Sequence, residues 1–245
     1  MAHAKHGFKR FGLSLLVVLA LMAVTAAGAQ AAEEWLIEGA RAPNNTPIHA
    51  AIHPLKDTGK KHIVFLTTVG VTPVEILCSE LVSDDGLLIQ NTLILILLLF
   101  KKCETIIKGV VSAACKPQEP IDMGLLGHLF LHGEEPKKLT YILFEADEKK
   151  PIATFVFGEE CSIGEKLALE GTFVAECLSE KLEKKEETGI DYCLQELVHH
   201  LIQQAPEKLF PLDVLKFGAN TALIDGILDL LLSGANLGRP WSGHV

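Results

Sequence analysis

The sequence predicts an all-β fold, an antiparallel sandwich or barrel-like domain held by disulfides, with one short helix near residues 190–204. Three observations predict it. Short runs of aliphatic, β-branched and aromatic residues recur along the chain, divided by Gly, Pro and Asn turns. Six cysteines follow a segment laid out for export. Helical spacing of apolar residues occurs over one stretch only, from Ile190 to Ile202, where a strand is the alternative.

The N-terminus begins with Lys5, Lys9 and Arg10, continues as an apolar run from Gly12 to Val24, and reaches Ala29-Gln30-Ala31. Charge, then grease, then small residues is the layout of a secretory signal peptide, so residues 1–31 are expected to be cleaved and Ala32 to begin the mature chain. An uncleaved anchor is the alternative. Residues 32–245 then form a single β-rich, disulfide-containing domain, long enough for a real core. Without Lys5, Lys9 and Arg10, 19 cations face 31 carboxylates, a net charge of −12. Nucleic acid and anionic membranes are recognised by clustered cations, so neither is an expected partner.

Within this domain, Trp35 to Glu38 reads as a first strand and Asn44-Asn45-Thr46-Pro47 as a loop carrying a glycosylation sequon. His62 to Thr68 and Val74 to Cys78 read as strands separated by Gly70 and Pro73. The stretch LIQNTLILILLLF, residues 88–100, raises the question of a membrane span. Its uninterrupted apolar part runs only from Leu93 to Phe100. As a helix that part reaches about 12 Å, far short of a hydrocarbon layer of roughly 30 Å. It is expected instead as a central strand bounded by Ser83-Asp84-Asp85-Gly86 and the lysines, covered on both faces, with no transmembrane span in the mature chain.

Lys116 to Pro120 reads as a loop and Leu125 to Leu131 as a strand. Leu139 to Glu145 and Ile152 to Phe157 are expected to pair as a hairpin. Period-two alternation from Leu167 to Cys177 predicts one half-buried strand, and SEKLEKKEETG, residues 179–189, an exposed charged loop. Ala222 to Leu232 returns to period two, flanked by Gly-Ala-Asn turns at 218 and 234. Trp241 is expected to tuck onto a sheet edge.

The disulfide candidates are Cys78, Cys103, Cys115, Cys161, Cys177 and Cys193. Six cysteines allow 15 pairings. Cys78 with Cys103 and Cys177 with Cys193 would each close a short local segment, which leaves Cys115 with Cys161 by elimination.

The layout resembles a group of uncharacterised exported bacterial proteins, hypothetical β-rich proteins with a four-cysteine pattern. The matching segments are EEWLIEG from residue 33, VEILCSE from 74, LLLFKKCE from 97, SAAC from 112, ATFVFGEEC from 153, and LKFGANTALIDGILDLLLSGANLGRPWSG from 215. Cys177, Cys193 and the segment CLQELVHHLIQQ depart from that pattern. The resemblance implies an exported, bacterial, β-rich protein and assigns no catalytic or binding residue.

Motifs for chemistry are few. Asp57-Thr58-Gly59 is the triplet of aspartic proteases, but it stands alone, and a turn before the next strand explains it. His49/His53 and His128/His132 have a spacing that would chelate a metal on a helix. In extended chain the two members lie about 13 Å apart. His199 and His200 point to opposite faces of a strand. No C-x-x-C, G-x-S-x-G, G-x-x-x-x-G-K or G-x-G-x-x-G occurs. No catalytic, cofactor-binding or metal residue is therefore assigned, and no cofactor is expected. The expectation is an exported non-enzymatic β domain, in the periplasm, at the cell surface or secreted, with a structural, surface or binding role and a cell-surface or envelope partner. The alternatives are a secreted hydrolase, for which Asp57 and the histidines would be the first residues to change, and a membrane-tethered or metal-binding envelope protein.

Overall fold

A computed structural model describes residues 34–54, 59–89, 92–132, 139–147, 151–178, 193–197, 199–205 and 214–244. In chain order the strands are β1 (Glu34–Ile37), β2 (Ala40–Arg41), β3 (Thr46–Ile52), β4 (Ile63–Val69), β5 (Thr72–Ile89), β6 (Leu93–Ile107) and β7 (Val110–Val111). A 3-10 turn, Ala113–Cys115, leads to β8 (Ile121–His132), β9 (Leu139–Ala146), β10 (Ala153–Val156), β11 (Lys166–Glu170), β12 (Thr172–Leu178) and β13 (His199–Gln204). Then follow β14 (Lys216–Phe217), β15 (Asn220–Asp225), β16 (Leu228–Leu232), a second 3-10 turn at Gly234–Asn236, and β17 (Trp241–His244). The fold is all-β, and every strand pairing is antiparallel.

Of the two expected architectures, the pairings give the barrel, and they give it twice. Following neighbours from β3 through β5, β6, β8, β9, β12, β13 and β16 returns to β3. Following them from β4 through β5, β6, β8, β10, β11, β14 and β15 returns to β4. Each circuit has eight strands, a number whose interior side chains can fill.

The two circuits share β5, β6 and β8 but use different lengths of them. On one edge of β5, Thr72 to Cys78 pairs with β4 and Gly86 to Leu88 with β3. On one edge of β8, Met123 pairs with β10 and Leu125 to His132 with β9. The molecule is thus a two-tier barrel, with a lower circuit closed by β4, β10, β11, β14 and β15 and an upper circuit closed by β3, β9, β12, β13 and β16. One continuous cluster of buried side chains runs through both tiers.

Three kinds of local chemistry make the waist between the tiers. β6 buries Ile94, Ile96, Leu98 and Phe100 and then Cys103 and Thr105, so the buried parity changes. The change falls at Lys102, whose φ of +52° interrupts the regular alternation. The single strand expected from Leu167 to Cys177 is divided at Gly171 (φ +103°), where a Cβ would lie 2.3 Å from the Val214 carbonyl oxygen. The C-terminal period-two run is divided at Gly226 (φ +133°), where a Cβ would lie 2.8 Å from the His62 carbonyl oxygen. At both glycines the chain passes from the lower circuit to the upper one.

Several expectations need correcting. β9 and β10 do not pair with each other: β9 lies between β8 and β12, and β10 pairs with β11 and touches β8. They belong to different tiers. The helix near 190–204 does not form over the described part; His199–Gln204 is a strand between β12 and β16. Two flanking strands outbid the helical spacing there, because they satisfy its backbone groups and bury His200, Leu201 and Ile202. Ser83 to Gly86 is no turn but the site of an irregularity inside β5, and Gly86 is required because a Cβ would meet the Ile48 carbonyl oxygen at 2.7 Å. Residues 179–189, expected as a charged loop, lie outside the described residues.

The first and last described strands, β1 and β17, meet at the top of the upper tier. β1 pairs with both β17 and β2 in a separate three-stranded sheet. Trp35 and Trp241 pack with ring centroids 5.4 Å apart and planes tilted by 52°, and a Cβ on Gly243 would meet Leu129 of β8 at 2.6 Å. This sheet caps the upper opening, and both tryptophans are buried beneath it.

Candidate functional site

The barrel interior is the first place to look for a ligand, and the described side chains pack into it. Phe65, Phe100, Phe155 and Phe217 form a chain of ring contacts at 5.0–5.3 Å in the lower tier. Phe144 stacks on Phe173 at 5.2 Å in the upper one. At the waist a cavity of about 30 Å³ is lined by apolar side chains of both tiers, among them Ile63, Phe100, Met123, Phe173 and Leu228. Ligand pockets run to roughly 300–1,000 Å³, so this space fits small solvent molecules and no organic ligand.

All six cysteines are joined, Cys78 with Cys103, Cys115 with Cys161, and Cys177 with Cys193. Cys78 and Cys103 face each other directly across β5 and β6, with Cys103 immediately after Lys102 at the waist. Cys115–Cys161 ties the first 3-10 turn to the loop between β10 and β11. With every thiol bonded, cysteine supplies neither nucleophile nor metal ligand.

The histidines are dispersed. His49 lies on β3, and the His53 Nδ1 beyond it stands 4.0 Å from Asp229 Oδ2. The His128 Nε2 approaches Glu145 Oε1 at 3.3 Å on the outer wall. His200 points inward, where its Nε2 lies 2.7 Å from the Trp241 carbonyl oxygen and its ring packs edge-on against the indole at 4.4 Å. It anchors the cap strand. The side chains of His132 and His199 lie outside the described residues, as does Asp57. Among the described residues no three His, Cys, Asp or Glu gather as a metal site would require.

The remaining polar features are surface ion pairs. The hydrogen bond from Lys102 holds the Glu80 carboxyl below its ordinary value and, reciprocally, raises the Lys102 ammonium. The hydrogen bond from Arg239 does the same for Glu38, joining the β1–β2 turn to the segment before β17. Exposed pairs of this kind fasten local geometry and add little stability.

What the molecule presents outward is therefore its candidate for function. The expectation that Leu93 to Phe100 is covered on both faces needs correcting. β6 is central, paired to β5 and β8, but only its even-numbered residues are buried through this stretch. Leu93, Leu95, Leu97 and Leu99 face out, with Leu97 39% exposed. No helix among the described residues is long and apolar enough to cross a membrane. A second outward feature lies at the lower end, where Val71, Val110 and Val111 project from adjacent hairpins. Sequence reasoning placed turns near Gly70 but had no means of showing which turns share an end.

No protein-family, curated-protein or solved-structure comparison returns a match to this chain.

Proposed function

We propose that this protein is an exported, disulfide-bonded, non-enzymatic barrel with a structural, surface or binding role, acting through its outer surface on a cell-surface or envelope partner. The observation that carries the reading is the filled and capped interior. Among the described residues the waist cavity measures about 30 Å³, below ligand size, which favours recognition at the exterior. The signal-like layout of residues 1–31 and the bonding of every cysteine support passage to an oxidising compartment, whether periplasm, cell surface or medium. The resemblance to uncharacterised exported bacterial β-rich proteins belongs to the same proposal. Here Cys78–Cys103 and Cys115–Cys161 would be the shared bonds and Cys177–Cys193 an addition.

The test is the intact mass of protein recovered from its native host, alkylated with and without prior reduction. A chain beginning at Ala32 that takes alkyl groups only after reduction supports the proposal. Retention of residues 1–31 together with six reactive thiols refutes export and disulfide bonding. Separately, hydrolytic turnover abolished by one Ser, Asp or His substitution would overturn the non-enzymatic reading.

A further inference from the structure

We propose that the lower end of the barrel docks onto a phospholipid bilayer with zwitterionic headgroups, its valine-tipped hairpins entering the interface between headgroups and acyl chains. This goes beyond the function proposed above, which is tested by mass and thiol state and survives a negative result here.

The geometry begins with two hairpins. Val71 lies in the turn between β4 and β5 and is 96% exposed. Val110 and Val111 form β7, just past the turn at Lys108 and Gly109, and are 69% and 57% exposed. Val74 of β5 pairs with Ile107 of β6, so the two turns sit side by side. The Lys108 N–H donates to the Pro73 carbonyl oxygen at 3.1 Å, which fastens one turn to the other. A third turn, Gly218-Ala219 between β14 and β15, stands beside Val71 because Ala222 pairs with Thr67. Gly70, Gly109 and Gly218 carry φ values of +64°, +78° and +59°, which these tight turns require.

Folding does not explain the valines. The turn residue Val71 stands where Asn, Asp, Gly or Ser is usual, and the mostly exposed side chains of Val71, Val110 and Val111 add little to the core. The local chemistry also runs against the rest of the chain. No carboxylate occurs in residues 59–74, 105–118 or 214–224, although the whole chain carries −9. Lys108 stands within the tip, and Lys116 and Lys216 follow close by. Cations beside projecting aliphatic groups complement lipid phosphates lying above acyl chains. Glu159, Glu160 and Glu165, on the loop held by Cys115–Cys161, border the same end and oppose a strongly anionic surface. The balance selects zwitterionic lipid.

A protein partner fits less well. Protein interfaces concentrate Tyr, Trp, Phe, Met and Arg around a broad patch of about 800 Å² per partner. These turns are convex and offer Val, Gly, Thr and Lys.

The experiment is co-sedimentation of the purified mature protein with phosphatidylcholine vesicles, comparing the wild type with V71D and with the double variant V110D/V111D. Leu237→Asp is the control, an equally apolar position 65% exposed beside the upper tier's second 3-10 turn. Wild type and the control should pellet with vesicles, and each tip variant should bind on the order of tenfold more weakly per valine replaced. Because the tips lie outside the core, all variants should keep the wild-type circular dichroism and melt. V71S and V110S/V111S, which add no charge, should weaken binding in the same order. Wild type remaining in the supernatant, tip variants that bind as wild type does, or equal loss in the control overturns the proposal. So does self-association of the wild type, without vesicle binding, that V71D abolishes in sedimentation velocity; that result would assign the tips to a second copy.

Discussion

Replacing Gly226 by alanine should be among the most destabilising single-methyl additions in this protein, and replacing Gly70 by alanine should be mild. Gly226 has φ +133°, and a Cβ there would lie 2.6 Å from Ile63 Cδ1 and 2.8 Å from the His62 carbonyl oxygen. Ile63 can swing its terminal methyl toward the waist cavity that it lines, but the His62 carbonyl belongs to backbone leading into β4 and has little freedom. Backbone strain of ~1–3 kcal/mol adds to an overpacking cost of ~1–3 kcal/mol, giving about 2–6 kcal/mol in total. Gly70 has φ +64° with no atom within 4 Å of a built Cβ, so conformational strain of about 1 kcal/mol acts alone. In a domain of this size each kcal/mol moves the melting midpoint by roughly 2–4 °C. The expected losses are thus about 10 °C for G226A and about 3 °C for G70A. Far-UV circular dichroism melts without reductant measure both. Equal losses at the two positions would show that the waist yields to an added methyl and would refute the reasoning that Gly226 is fixed by close backbone approach.

Two further predictions concern the staples and the cap. Replacing Cys78 and Cys103 together by alanine opens a loop of 25 residues and should cost about 3.5 kcal/mol in the chain-entropy account, read as a lower urea midpoint; an unchanged midpoint would mean the bond restrains nothing in the unfolded chain. The chain has two tryptophans, Trp35 and Trp241, and both lie in the cap, so intrinsic fluorescence reports the cap while circular dichroism reports the barrel. His200→Leu leaves the Trp241 carbonyl with the Leu197 N–H as its remaining donor, at a cost of about 0.5–1.5 kcal/mol, and should bring the fluorescence transition to lower temperature than the dichroism transition. Coincident transitions in this variant would show that the cap does not depend on His200.

The features legible in the sequence were those set by neighbours along the chain. Runs of aliphatic, β-branched and aromatic residues between turn signals marked β4, β8 and β9, and period-two alternation marked β15, because both patterns are local to the chain. Glycine turns at Gly70, Gly218 and Gly234 were visible for the same local reason. The short spacing of Cys78 and Cys103 pointed to a bond across one hairpin. The all-β class followed from these. Partner choice is different. Period two is the same for every strand, so it assigned β10 to β9 when closure of the lower tier assigns it to β11 and β8. It treated residues 167–177 as one strand, where Gly171 carries the chain between tiers. It made both faces of Leu93 to Phe100 equally apolar, and the structure turns one of them outward. The helical spacing around His199 to Gln204 gave way because two neighbouring strands were already in place with unpaired backbone groups. The valine tips were visible one at a time, but their gathering at one end depends on the β4–β5–β6 and β4–β15 registers. The sequence by itself therefore determined the elements and the class. Only the tertiary structure decided closure, tier and outward face, because those depend on hydrogen bonds between segments far apart in the chain, and local pattern carries no record of them.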